Sequence, residues 1–391
     1  MKKLASLLLA LLLVIGLIPA TAETAVEAET VATSVTEIQK YGNMVLAVTG
    51  SELLAAGYAY GDVVTVTILG QDYEMPIGSN YSDVDQGSML VRVVIKEGSD
   101  EAEAEDYVLI AINMGDLATT AGVATKEKTE EAPGYIWHLN EGVEEPVEIS
   151  IAMKEPGAYF DRWFMNQLVR SEERDAYPEL TDEQFANFRP VTTTGMGAGK
   201  LYRSSSPVNP EIRRNTYADA AAEAAGVKTF VNLADNLDVL MTYEGYEDSY
   251  YSRQNVIALN LGVDFAAPEF GEGLAAGFRF IALCEGPYLV HCNEGKDRAG
   301  FTVAVLECLM GASEEEVVAD YMVTYYNYYG VEPGTEQYDI IANANIRKSL
   351  ATAFGVESLE GQDLAGLAED YLLSLGMTPE EIAALKTALS D

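Results

Sequence analysis

One stretch limits the fold more than any other. HCNEGKDRAG, His291 to Gly300, stands between the apolar run GPYLV (286–290) and the helix-like run AGFTVAVLECLMG (299–311). The apolar run predicts a buried strand and the run after it a helix, so the residues between must turn the chain within a short loop. Such a turn gathers backbone N–H groups at a helix N-terminus, which makes an anion cradle. The same N–H groups and the helix dipole favour a thiolate at Cys292, a nucleophile at neutral pH. Arg298, a planar fork, is spaced to return over the loop and clamp two oxygens of a phosphoryl group. A structural Cys beside a surface Arg would not explain why Cys, Gly and Arg fall together between strand and helix.

The other two cysteines, Cys284 and Cys308, lie in apolar helical patterns and read as small buried hydrophobes. Three cysteines crowded into one segment make no disulfide framework. The net charge of -38 makes nucleic acid and anionic membranes poor partners, because a chain without a basic face gains no counterion release. His138 is the only other histidine and has no second His near it, so no metal site is expected.

Patterning divides the chain. Residues 1–22 join a basic start, MKK, to the apolar LASLLLALLLVIGLI and the small-residue end Ala20-Thr21-Ala22, a secretory signal peptide that predicts a secreted, extracellular protein. No later apolar run is long enough to span a bilayer, so no stable membrane insertion is expected once the signal is removed. Residues 23–36 read as a flexible acidic lead. Residues 37–153 carry short alternating runs, MVLAVTG, DVVTVTILG, MLVRVVI, DYVLIAIN and VEISIAM, which predict a small all-β, barrel-like domain. Residues 154–184 read as a polar connector. Over 185–391 the strands NFRPVTT, KLYRSS, KTFVNLA, NVIALNL and PYLVHC alternate with helical runs, so an α/β sheet flanked by helices is expected. The Tyr-rich DYMVTYYNYYG (320–330) has helical spacing and reads as packing.

HCNEGKDR resembles the signature loop of the protein tyrosine phosphatase superfamily: His-Cys, five residues, then Arg. GKDR more narrowly resembles the bacterial branch with dual protein and phosphoinositide activity. LYRSSSP (201–207), NTYADAAAEAAGVKTFVNLADN (215–236) and EDYLLSLGMTPEEIAALKTAL (369–389) agree, and the resemblance covers about 185–391. It implies a tyrosine-phosphatase-like sheet flanked by helices, no cofactor, and a phosphorylated protein or phospholipid substrate. Phosphotyrosine is the leading class. Phosphoinositides or inositol phosphates come second, and for these Lys296 would grip a second phosphate.

Carried onto this sequence, the resemblance makes Cys292 the nucleophile of a cysteinyl-phosphate and Arg298 the phosphate clamp. His291 would orient the loop and tune the thiolate, and Asn293, Glu294, Gly295, Lys296 and Asp297 would offer backbone N–H groups. For the general acid, Asp264 in LGVDFAAPEF lies 28 residues before the nucleophile, with Asp297 inside the loop as its rival and Glu269 or water behind both. Arg203 would either line the pocket or make an ion pair near the sheet end. Ala299 departs from the family, which usually has Ser or Thr there to stabilise the departing thiolate, so breakdown of the intermediate is expected to be slow. A catalytically dead phospholigand-binding or adhesion module is the alternative of another class, and the presence of both Cys292 and Arg298 speaks against it. Separately, YGNMVLAVTG, GDVVTVTILG, NYSDVDQGSM and YVLIAINMGDLATTAG resemble the small C-terminal β-barrel domain of S-adenosylmethionine hydroxide adenosyltransferases. Their larger catalytic domain has no counterpart here, so the resemblance implies a binding or spacer role.

Overall fold

The computed structural model describes residues 28–95, 106–130 and 134–390, so the signal-peptide stretch lies outside the described residues. The chain divides into two compact units, with the boundary between Gln167 and Leu168.

The first unit is a closed barrel. Its strands are β1 (Val31–Ile38), β2 (Met44–Leu46), β3 (Val63–Ile68), β4 (Gln71–Gly78), β5 (Met89–Val94), β6 (Tyr107–Ile112) and, after the β7 (Ala124–Lys128)–β8 (Tyr135–Leu139) hairpin, β9 (Glu148–Glu155). They join in the order β1-β2-β6-β5-β4-β3-β9. Val64, Val66 and Ile68 of β3 alternate inward onto Met75, Ile77, Ile110, Ile149 and Ile151, all essentially inaccessible. The flexible lead expected at 23–36 is corrected over its second half, where residues 31–36 form most of β1. β1 pairs with β2 and β9, with Val31 opposite Ile151. The run VATSVTEI is thin in large apolar residues, and its pairing partner is far along the chain, so the local pattern understates it. β4 was hidden by Pro76, which breaks the strand signature. His138 sits on β8 with its ring 2.8 Å from Glu127, and no group of metal-ligating residues occurs among the described residues.

The second unit holds a five-stranded sheet. Its strands are β10 (Arg189–Pro190), β11 (Leu201–Ser204), β12 (Thr229–Asn232), β13 (Asn255–Ala258) and β14 (Tyr288–His291). Their order is β10-β11-β14-β12-β13, with β10 antiparallel to β11 and the other pairs parallel. Register places Ser204 and Asn232 on either side of His291, so three strands end level. In open sheets of this kind, ligands bind beyond the carboxyl ends of the strands. Helices α1 (Asn215–Ala224), α2 (Pro268–Leu283), α3 (Asp297–Met310) and α4 (Glu314–Tyr329) flank the sheet. α3 is buried on nearly all sides, from Ala299 through Leu309, which is why its sequence is apolar all round. The connector expected at 154–184 is also corrected. The helix Phe160–Asn166 belongs to the barrel unit, and everything from Leu168 onward belongs to the second.

Candidate active site

β14 delivers Cys292 to the end of the central strand, and α3 begins five residues later at Asp297. The loop between them is pinned by its carbonyls. The oxygen of Asn293 accepts from the Ser206 N–H at 2.9 Å. That of Glu294 accepts from the Tyr328 hydroxyl at 2.7 Å and the Asn187 amide at 3.1 Å. That of Gly295 accepts from the Arg203 guanidinium at 2.9 Å, and that of Lys296 from the Gly300 N–H at 3.0 Å. By contrast, in the hydrogen bonds found among the described residues, no N–H from Asn293 to Arg298 donates to a protein acceptor. α3 likewise has no side-chain cap, whereas α4 is capped by the Ser313–Glu316 box. Backbone donors gathered without a protein acceptor at a helix N-terminus suit an anion.

Two glycines make the path possible. Gly295 has φ +69, and a Cβ there would stand 2.2 Å from the Ser204 carbonyl oxygen. At Gly300 a Cβ would meet the Tyr321 ring at 2.6 Å and the Arg203 guanidinium at 2.9 Å. Arg203, wholly buried, makes the sheet-end ion pair, 2.6 Å from Asp320, while holding the Gly295 carbonyl. Asp320 also pairs with Arg189 at 3.0 Å. Burial alone would raise the Asp320 carboxyl, but Arg189 and Arg203 outweigh it and hold the group below its usual range. Burial lowers the Arg189 guanidinium to about 10. Arg214 is pressed between the Phe185 and Tyr328 rings, 4.1 Å from each centroid, so the Tyr-rich face is packing that also reaches the loop.

His291 is fully buried, and desolvation lowers its imidazole to about 4. The ring is therefore neutral at pH 7. Nδ1 lies 3.3 Å from the Cys292 carbonyl, which can only accept, so Nδ1 carries the proton and Nε2 accepts from Tyr251 at 3.2 Å. Tyr251 in turn accepts from Asn232 at 3.3 Å. The histidine thus holds the nucleophile's backbone without adding a charge.

At the rim, Glu294 bridges Arg170 at 2.8 Å and Lys296 at 3.0 Å. Burial would raise the Glu294 carboxyl, but Lys296 and Arg170 hold it below its usual range. Burial would lower Lys296, and Asp297, Tyr329 and Glu294 together raise it. Asp297 opens α3. Desolvation pushes its carboxyl up against the opposing pull of Lys296 at 3.8 Å, although 45% of the side chain meets solvent, which tempers the push.

Asp264 is not drawn into this cluster. It is exposed, accepts from the Ala266 N–H at 3.0 Å, and lines a hollow of about 460 Å³ with Lys348 and Tyr371 to which no residue of the 292–298 loop contributes. Its segment is nevertheless tied to the cradle: Arg298 donates to the Leu261 carbonyl at 2.9 Å, and Phe265 stacks on Phe301 of α3 at 4.5 Å. Glu269 is exposed in the first turn of α2. Ala299 is fully buried, and Thr302 is buried with no partner for its hydroxyl. Sequence reasoning missed Arg170 and Asn187, which reach the loop from distant segments, and Glu172 and Asp320, which hold the arginines that do. The one local hint was the density of charge at 170–175.

A cysteine at a strand end, followed by free amides and an arginine at a helix N-terminus, defines the phosphate-loop class of α/β protein. Residues 262–391 match the family model described as the tyrosine phosphatase family. A tyrosine-protein phosphatase of Nostoc commune is 28% identical over 128 residues, covering 29% of this chain and 42% of that protein. The chain therefore spans about two fifths of the length of this curated relative. Among solved structures, the core catalytic domain of an S. cerevisiae PP-IP phosphatase, in complex with citrate, is 19% identical, covers 40% of this chain and 83% of its own, and has a TM-score of 0.27. TpbA of P. aeruginosa, in complex with pTyr, is 18% identical, covers 50% and 93%, and has a TM-score of 0.29.

Proposed function

We propose that the second unit is a cysteine-dependent phosphomonoesterase acting first on phosphotyrosine, in a protein exported by its N-terminal signal. The proposal rests on one observation, the loop whose carbonyls are all held by protein while the amides from Asn293 to Arg298 are left free around Cys292. In the first step the Cys292 thiolate attacks phosphorus, the bond to the leaving oxygen breaks, and that oxygen takes a proton from the general acid. Amides and Arg298 stabilise the charge that spreads over the equatorial oxygens. Water then attacks phosphorus, giving its proton to the same carboxylate. The S–P bond breaks, phosphate leaves and the thiolate is restored. Asp297 has the better case for the acid, because it opens α3 directly after the loop and desolvation pushes its carboxyl upward, while Asp264 stands on an exposed segment.

The test is hydrolysis of a phosphotyrosine peptide against a phosphoinositide panel, with chelator present. Cys292→Ser should abolish turnover while keeping substrate binding, and appreciable turnover by this variant would remove the cysteinyl route. Asp297→Asn should slow hydrolysis of phosphotyrosine by roughly 10²-fold or more and spare activated aryl phosphates, which need no proton. If Asp264→Asn is the crippled variant instead, the acid is Asp264.

A further inference from the structure

We infer that Glu294 restricts this site to single phosphate monoesters by occupying the two cations that would otherwise receive a second phosphate. This rests on the phosphatase reading above and names the substrate class for it. Lys296 and Arg170 are the cationic side chains at the loop's rim, each 17% exposed and so within reach of a ligand. Glu294, itself 24% exposed, sets one carboxylate oxygen 2.8 Å from Arg170 and the other 3.0 Å from Lys296. Glu172 takes Arg170 again at 2.8 Å, and Asp297 lies 3.8 Å from Lys296. Two cations therefore face three carboxylates, and the rim has no positive charge to spare. The Tyr329 hydroxyl, 3.5 Å from Arg170 and 3.4 Å from Lys296, fills the gap between them.

A second phosphate brings close to two negative charges. To reach either cation it must displace a carboxylate and then sit beside it, and like charges at that range repel. Arg298 stays available for the reacting phosphate alone. The substrate that fits is a lone phosphate on an aryl oxygen, flanked by neutral or basic residues.

The experiment compares kcat/KM on a singly phosphorylated tyrosine peptide with that on a soluble short-chain phosphatidylinositol bisphosphate, in the full chain. The parent should favour the peptide. Glu294→Gln, which keeps the shape and the main-chain carbonyl but removes the charge, should raise the relative kcat/KM of the bisphosphate about 10-fold, and adding Arg170→Met should take that gain away. A parent active on the peptide whose Glu294→Gln variant leaves the ratio within about twofold overturns the clamp and leaves the phosphatase reading standing. A parent inactive on every aryl phosphate overturns both. Should Glu294→Gln not fold, competition on the parent decides. Inorganic pyrophosphate binding no tighter than inorganic phosphate supports the clamp, and pyrophosphate tighter by about 10-fold overturns it.

Discussion

Asp83 in the barrel and Asp320 in the second unit are both shielded carboxylates, yet they are satisfied by different means. Asp83 accepts from the backbone N–H groups of Ser79 and Asn80 and from the Ser79 hydroxyl, all within four residues, and from the Gln167 amide at 3.2 Å. Asp62, also buried, accepts from the N–H groups of Ala59 and Gly157. Amides and a hydroxyl, near and far in sequence, stand where a cation would otherwise be needed. Asp320 instead faces two buried guanidiniums, Arg189 and Arg203, and through Arg203 it holds the carbonyl of Gly295. These two barrel carboxylates are answered by neutral donors. The second unit brings buried cations to the outside of a loop whose inner amides remain without acceptors, and that asymmetry is what a binding site requires.

The largest expected effect tests this directly. Asp320→Asn should cost the second unit about 3–5 kcal/mol, because it strands Arg189 and Arg203 in the interior. Asp83→Asn should cost the barrel about 1–3 kcal/mol. Both tryptophans, Trp137 and Trp163, lie in the first unit, so their fluorescence follows the barrel, while activity follows the second unit and circular dichroism reports the two together. Equal losses from the two substitutions would break the comparison.

The next effect depends on pH. His291 falls from 6.5 to about 4 on folding, so the unfolded chain binds the proton more readily. The stabilisation is therefore complete above pH 6.5 and disappears as pH falls toward 4, amounting to at most about 3 kcal/mol. In denaturant titrations across that range, His291→Asn should flatten the second unit's slope relative to the parent. An unchanged slope would mean that His291 is not held neutral.

The smallest effect sharpens the contrast. Inorganic phosphate at a hundred times its Kd should stabilise the second unit by about 2.7 kcal/mol and leave the barrel's transition where it was. A shift in the barrel alone, or in neither unit, would argue against the free amides as the anion site.

How much of this could be read from the sequence depended on range. The strand–loop–helix around Cys292 is local, and its five strands and the helix after the loop stand where apolar runs and glycines placed them. The supports do not announce themselves. Arg203 and Asp320 are 117 residues apart, and Asn187 reaches the Glu294 carbonyl across 107. No periodicity encodes such pairs. β1 escaped for the same reason, since its alternation is diluted by Thr and Ser and only the opposite strand reveals what it closes. Arg170 and Glu172 were passed over because a polar stretch reads as a linker until the carboxylate it serves is in view.

Gly295 leaves the loop with one fixed letter and several free ones. Its path against the Ser204 carbonyl admits no side chain, while Asn293, Glu294 and Lys296 bind the frame through carbonyls that any side chain would leave in place, and their side chains meet Asn209, Arg170 and one another. The three positions therefore behave as an exchangeable cassette on a rigid mount. A library randomised at 293, 294 and 296, with 295 held as glycine, would vary which molecules are admitted without rebuilding the machinery that receives them.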